Sequence, residues 1–304
     1  MRHCVTGEYR KGDLIMKRRE ALELLATVAL GLSLSKNSKA VEQNTPRRIL
    51  FFSRSVLFEH SVIKRKGDEL SFAEKILCDL GKKAGIEVEC TKNGEVFMGD
   101  LDKYDVFVSY ACGGPDHLAK ADSLDHTPPL TREGHERLLR AVAAGKGFVA
   151  IHPGILMLPE VMGGGCIGHG SQQSAVIRVT SPSFPGLSSA GNSFTLMEEW
   201  FSLNKFARDL HVILVQDCQG MDTKAKTDKR CYDRPPFPAT WCRMHEKGRI
   251  FYTSMGHRED VWTNPLFQQI LMGGLGWALG NMDIDITPNI ERVTPLAAAC
   301  DKVS

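Results

Sequence analysis

Short continuous apolar runs recur along this chain, separated by amphipathic or glycine-rich stretches, a texture that predicts a buried sheet with helical crossovers. Ile49-Leu50-Phe51-Phe52, within residues 47–53, reads as a strand buried on both faces. Residues 67–84 place Phe72, Ile76, Leu77, Leu80 and Ala84 at helical spacing, with Asp68, Glu69, Lys75, Asp79 and Lys82 opposite, and Gly85 ends that helix. Residues 86–90 and 104–111 predict further strands. Thr131 caps a helix whose apolar stripe is Leu138, Leu139, Val142 and Ala143, and Phe148-Val149-Ala150-Ile151 is the next buried strand. The strand, helix, strand order predicts an α/β protein with a doubly wound, mostly parallel, flavodoxin-like sheet and right-handed crossovers.

Beyond residue 174 the pattern shortens. Strands are predicted at 174–180, 194–201, 212–217, 239–244 and 249–254, the last two joined as an added antiparallel hairpin around Glu246-Lys247-Gly248. Residues 265–279 form a strongly apolar helix capped by Asn264 or Thr263. Residues 218–236 are polar, and Lys224, Lys226, Lys229 and Arg230 read as a solvated surface. Residues 281–304 form a tail without a clear element.

The chain of 304 residues, 42% hydrophobic and 24% charged, is long enough for a full core. A net charge of +2 with no aromatic-interleaved basic run argues against nucleic acid as a partner. The glycine-rich stretch Gly163-Gly164-Gly165 is followed by no Gly-Lys-Ser/Thr and fails the dinucleotide fingerprint, so no nucleotide cofactor is expected. The nine cysteines show no C-x-x-C pair. A Cys231–Cys242 disulfide is conceivable in an exported protein.

Export itself is suggested by residues 16–40. Met16-Lys17-Arg18-Arg19 precedes an apolar run and a small-x-small cleavage pattern at Ser38-Lys39-Ala40, resembling a twin-arginine signal. That points to a periplasmic or secreted bacterial protein whose natural start is Met16, with residues 1–15 a non-native extension. The apolar run is too short for a stable membrane span.

Four histidines stand where predicted strands give way to loops: His60, His152, His169 and His257. Strand ends of an open α/β sheet gather at one edge, where ligands bind. Imidazoles converging there would make a metal or acid/base site.

Read together, Phe58-Glu59-His60-Ser61, the stretch from Gly145 to His152, Gly163-Gly164-x-x-x-x-His169, Glu199, Pro238-Ala239-Thr240-Trp241, the stretch from Gly248 to His257, and Trp277-Ala278-x-Gly280 resemble the ThuA-like (trehalose utilisation) family over residues 47–280. That family is a relative of the class I glutamine amidotransferase-like fold. The chain departs from it at Cys166, Glu198, Phe201 and Ser181, positions that the resemblance sets around the pocket mouth. The amidotransferase nucleophile would occupy the turn Ile151-His152-Pro153, which holds no Cys, and Cys112 reads as structural, so glutaminase activity is not expected.

The resemblance implies a small carbohydrate substrate, and the residues allow a concrete chemistry. A sugar oxidised at C3 has an acidic C2 proton, and its enediolate can expel the C1 substituent. This needs a base and a charge stabiliser. His152, His169 and His257 are candidate ligands of a divalent ion such as zinc, Glu199 the base or a fourth ligand, and His60 a general acid or substrate contact. Glu199 should face the site and Glu198 the solvent, since neighbours on a strand point to opposite faces. Trp262, in a polar loop, is the expected sugar platform, with Trp241, Arg258 and Gly164 as further contacts; Trp277 belongs to the core, and an ion pair is the default for Arg243 and Arg258. The alternative is a non-catalytic carbohydrate-binding or interaction domain. An oligomer is compatible with either.

Overall fold

The computed structural model describes residues 46–223 and 231–297. The expected N-terminal extension, the export signal and the lysine run at 224–230 lie outside the described residues.

Nine strands form one sheet in the order β2-β1-β3-β4-β11-β10-β9-β6-β7. Its first half is parallel: β1 (Arg47–Phe52) lies between β2 (Ile86–Thr91) and β3 (Val106–Ser109), followed by β4 (Gly147–Ile151) and β11 (Gly248–Thr253). The core residues of β1, β3 and β4 are almost wholly buried, as continuous apolar runs require. The second half is antiparallel, running through β10 (Phe237–His245), β9 (His211–Asp217), β6 (Gln173–Val179) and β7 (Ser193–Glu198). The expected hairpin is β10–β11, and it opens a four-strand antiparallel extension. After β1 the chain passes to β2 on one side and returns to β3 on the other, which makes the β1/β3 edge a topological switch point.

Helix α1 (Phe72–Ala84) starts later than the pattern from residue 67 suggests, because Ser71 is its N-cap. The Ser71 hydroxyl accepts from the Glu74 N–H while Glu74 accepts from the Ser71 N–H, and Gly85 closes the helix in the left-handed region. Helix α2 (Arg132–Ala143) is capped by Thr131 and α3 (Pro265–Ala278) by Asn264. Trp277 is buried in the core. The tail is not featureless: a one-turn helix, Ile290–Val293, docks through Asn289, whose side chain bonds both backbone groups of Val212.

Two predicted segments differ from the structure. Residues 194–201 form not one strand but β7 and β8 (Phe201–Asn204), broken at Glu199-Trp200. The glycine-rich stretch contains β5 (Gly165–His169), which pairs with β8 as a separate two-stranded sheet. Local periodicity carries no trace of β5 because its partner lies far along the chain. Cys231 and Cys242 are free thiols, so the conceivable disulfide between them is absent.

Candidate functional site

The loop after β1 delivers His60, the turn after β4 delivers His152, and the loop after β11 delivers His257, all at the carboxyl edge of the parallel strands. Glu199 enters from the break between β7 and β8. One ligand atom from each of these four residues lies within 4.8 Å of the others. His257 Nδ1 stands 3.2 Å from Glu199 Oε2 and 3.3 Å from His152 Nε2. The His60 ring meets those of His152 and His257 edge to face, each at 5.1 Å between centroids. His169, at the end of β5, approaches from the other side: its Nδ1 lies 3.3 Å from Glu199 Oε1 and 3.0 Å from the Gly170 carbonyl. Its side chain is 33% exposed, against 0% for His152. His169 therefore touches the carboxylate from outside the four-atom cluster, whereas His60 lies inside it.

The backbone fixes this geometry locally. His152 has φ +49°, a strained conformation for a residue with a side chain, and its ring is stacked 4.1 Å from Phe201. Its Nδ1 lies 2.9 Å from the Ser254 carbonyl, so Nδ1 carries the proton and the lone pair of Nε2 faces the cluster. Gly256 precedes His257 at φ +117°, and a Cβ there would lie 2.7 Å from Ile151 Cγ2. The Gly256 carbonyl accepts from Tyr110 Oη and Trp262 Nε1.

Glu198 is the residue that sequence reasoning misplaced most. It is not solvent-exposed but fully buried, because three backbone donors converge on it. Oε1 accepts from the N–H groups of Gly256 (2.6 Å) and His257 (2.9 Å), and Oε2 from the N–H of Glu199 (2.7 Å). It thus ties the His257 loop to the Glu199 break. Burial pushes its carboxyl up to about 7 despite these bonds.

Electrostatics separates the remaining groups. Burial, followed by the His152 and His257 rings, pushes His60 down to about 2, and its Nδ1 is buried without a hydrogen-bond partner. Burial also lowers His152. Burial would raise Glu199, but its contacts with His152, His257 and His169 outweigh that and hold it well below the usual carboxylate range. His60 and His152 are thus held neutral beside an ionised Glu199, the protonation state in which imidazole and carboxylate bind divalent cations.

The expected sugar contacts are rearranged. Trp262 is fully buried on a one-turn helix (Glu259–Trp262) whose charged side faces out, so it presents no open face. Trp241 is also fully buried, donating to the Met162 carbonyl, and Gly164 is small because a Cβ there would lie 3.0 Å from that indole. All three are buried. Arg258 pairs with Asp260 and donates to Gln172 Oε1 at 2.6 Å; the Gln172 amide in turn meets His257 Nε2 at 2.9 Å. Arg243 pairs with Asp209. The exposed aromatic beside the cluster is instead Phe58, 55% exposed, its ring 4.9 Å from that of His60. Its position in Phe58-Glu59-His60 was the available signal. Cys112 is buried, and burial pushes its thiol up to about 11, consistent with a structural role.

Comparison with known proteins agrees with this architecture. The sequence profile of the ThuA family, described as trehalose utilisation, matches residues 48–278. A ThuA-like protein from Bacteroides uniformis has a similar fold, with TM-score 0.58 and 15% identity over 80% of this chain and 95% of that one. A ThuA-like protein from Parabacteroides merdae gives TM-score 0.52 and 15% identity over 79% and 92%. No curated protein matches the sequence. With its profile match spanning the sheet and every member of the histidine cluster, the chain belongs to the carbohydrate-related ThuA family.

Proposed function

We propose that this protein is an exported enzyme that acts on oxidised (3-keto) glycosides by proton abstraction and elimination, completed by hydrolysis, with a divalent ion held by His60, His152, His257 and Glu199. The observation that carries this reading is the cluster itself: two buried imidazoles, a third partly buried one and a carboxylate, offering ligand atoms within 4.8 Å of one another. The unpartnered Nδ1 of buried His60 fits an acceptor awaiting a cation, since a buried polar atom without a partner is costly. His152 has its Nδ1 anchored on Ser254 and its Nε2 directed inward, as a ligating imidazole requires. For His257 to offer Nδ1, its proton moves to Nε2 and the Gln172 amide turns its oxygen toward it, giving up the bond that this oxygen accepts from Arg258. When bound, a divalent ion supplies Lewis-acid stabilisation of negative charge on the substrate oxygens.

The base is His169. Its Nδ1 proton is directed at the Gly170 carbonyl and the Glu199 carboxylate, which leaves the lone pair on Nε2, on a ring one-third exposed. Glu199 orients that ring, a role it combines with membership of the cluster. His169 takes the C2 proton; the C–H electrons form the C2–C3 double bond of an enediolate. Its collapse restores the C3 carbonyl, forms the C1–C2 double bond and breaks the bond to the C1 leaving group, which leaves with a proton returned by His169. Water addition across C1–C2 then gives the free 3-keto sugar. Phe58 takes the place expected of Trp262 as the apolar face on which a pyranose ring lies.

The test is turnover of a panel of 3-keto and unoxidised glycosides by the purified protein, with metal content measured before and after chelation. Stoichiometric divalent metal and chelator-sensitive cleavage of keto-glycosides are expected. Tight sugar binding with neither metal nor turnover would favour the carbohydrate-binding alternative and overturn the enzymatic one.

A further inference from the structure

Away from the histidine cluster, Cys78 on α1 and Cys90 on β2 hold their sulfur atoms 3.6 Å apart, in van der Waals contact. Both are free and half-buried, whereas Cys112, Cys218, Cys231 and Cys242 are buried. The elements that carry them approach closely. Gly81, one helical turn after Cys78, faces Val88, two residues before Cys90, and a Cβ on Gly81 would lie 2.4 Å from Val88 Cγ2. A helix and strand pressed together this tightly hold the two thiols facing one another, at a spacing that a disulfide would shorten to about 2 Å.

We propose that Cys78 and Cys90 are a redox modification site, converted to an intramolecular disulfide by a low-molecular-weight disulfide such as oxidised glutathione. The Cys78 thiolate attacks one sulfur of the oxidant, forming a mixed disulfide and releasing one thiolate. The Cys90 thiol then loses its proton to solvent and attacks Cys78 Sγ, and the second oxidant thiolate departs. Two protein thiols are oxidised by two electrons, and the two released thiolates take up the protons. The order of attack follows the contact between the sulfurs, which holds the Cys78 thiol below and the Cys90 thiol above the ordinary range. The product ties β2, the edge strand of the sheet, to the helix that covers it.

The full chain is incubated with oxidised or reduced glutathione, its free thiols are alkylated, and tryptic peptides are mapped by mass. The expected result after oxidation is a linked pair, residues 76–82 joined to residues 84–92, with a thermal midpoint several degrees above the reduced form. Cys90→Ser should trap a stable glutathione adduct on Cys78. Recovery of both peptides only in alkylated form, or the same midpoint rise in Cys78→Ser, would overturn the assignment.

Discussion

Replacing Glu198 tests how the site is held together. Its two oxygens accept three backbone N–H groups, from Gly256, His257 and Glu199, at 2.6–2.9 Å in a fully buried setting. Glu198→Gln keeps one carbonyl oxygen and places an NH2 where the other oxygen stood. With the carbonyl retained toward Gly256 and His257, the Glu199 N–H meets a donor, leaving two buried groups unsatisfied at about 1–3 kcal/mol each. Glu198→Ala strands all three donors and adds a void, for a loss of about 4–8 kcal/mol. Against a total of about 5–15 kcal/mol, Gln yields a weakened but folded protein and Ala one near its limit. Urea unfolding reads both, with amide hydrogen exchange at Gly256, His257 and Glu199 reporting the released donors. An alanine variant within about 0.5 kcal/mol of wild type would show that the three bonds do not hold the loops, and the reasoning would fail.

Three further outcomes follow. His169→Asn should lower kcat on a keto-glycoside about 100-fold or more with the unfolding midpoint unchanged, as for loss of a general base; unchanged turnover would remove His169 from the mechanism. Phe58→Ala should raise KM with kcat largely retained, because the ring contributes binding shared by ground and transition states; a selective loss of kcat would contradict a platform role. In chelated protein, His60 is neutral when folded but binds a proton when unfolded below pH 6.5, so its contribution is present above 6.5 and lost as pH falls toward about 2. His60→Gln should therefore lose about 2 kcal/mol less stability than wild type between pH 7.5 and 5, measured by urea titration; parallel pH profiles would contradict it.

The parts of the fold that were legible in the sequence are those that local patterns encode. Continuous apolar runs marked β1 and β4, and Thr131, Gly85 and the pair Thr263-Asn264, of which Asn264 is the cap, marked helix ends. Given a parallel sheet, the ends of β1, β4 and β11 had to share an edge, which brings His60, His152 and His257 together. What stayed hidden depends on distant partners. β5 exists only through pairing with β8. Glu198 is read as exposed by residue type, and its burial is decided by donors 58 and 59 positions away. Trp262 has charged neighbours in sequence, but a single helical turn sends Glu259 and Asp260 outward and Val261 and Trp262 inward.

The same dependence on distant partners sets the placement of the cluster. In strand order, β3 separates β1 from β4, so His60 and His152 start about 10 Å apart across two strand spacings. The gap is closed by Tyr110, just after β3, whose ring packs 5.4 Å from His60 and 6.1 Å from His152 while its hydroxyl holds the Gly256 carbonyl beside His257. His60 crosses toward the cluster on a loop whose Glu59 reaches buried Lys92 at 3.6 Å, and Lys92 is held in turn by Asp125 and the Ser53 carbonyl. Each imidazole is thus positioned by groups from a strand other than its own. A local change at any one strand end is therefore transmitted to the relative placement of all the ligand atoms, and the cluster behaves as one unit of the sheet edge rather than as four independent side chains.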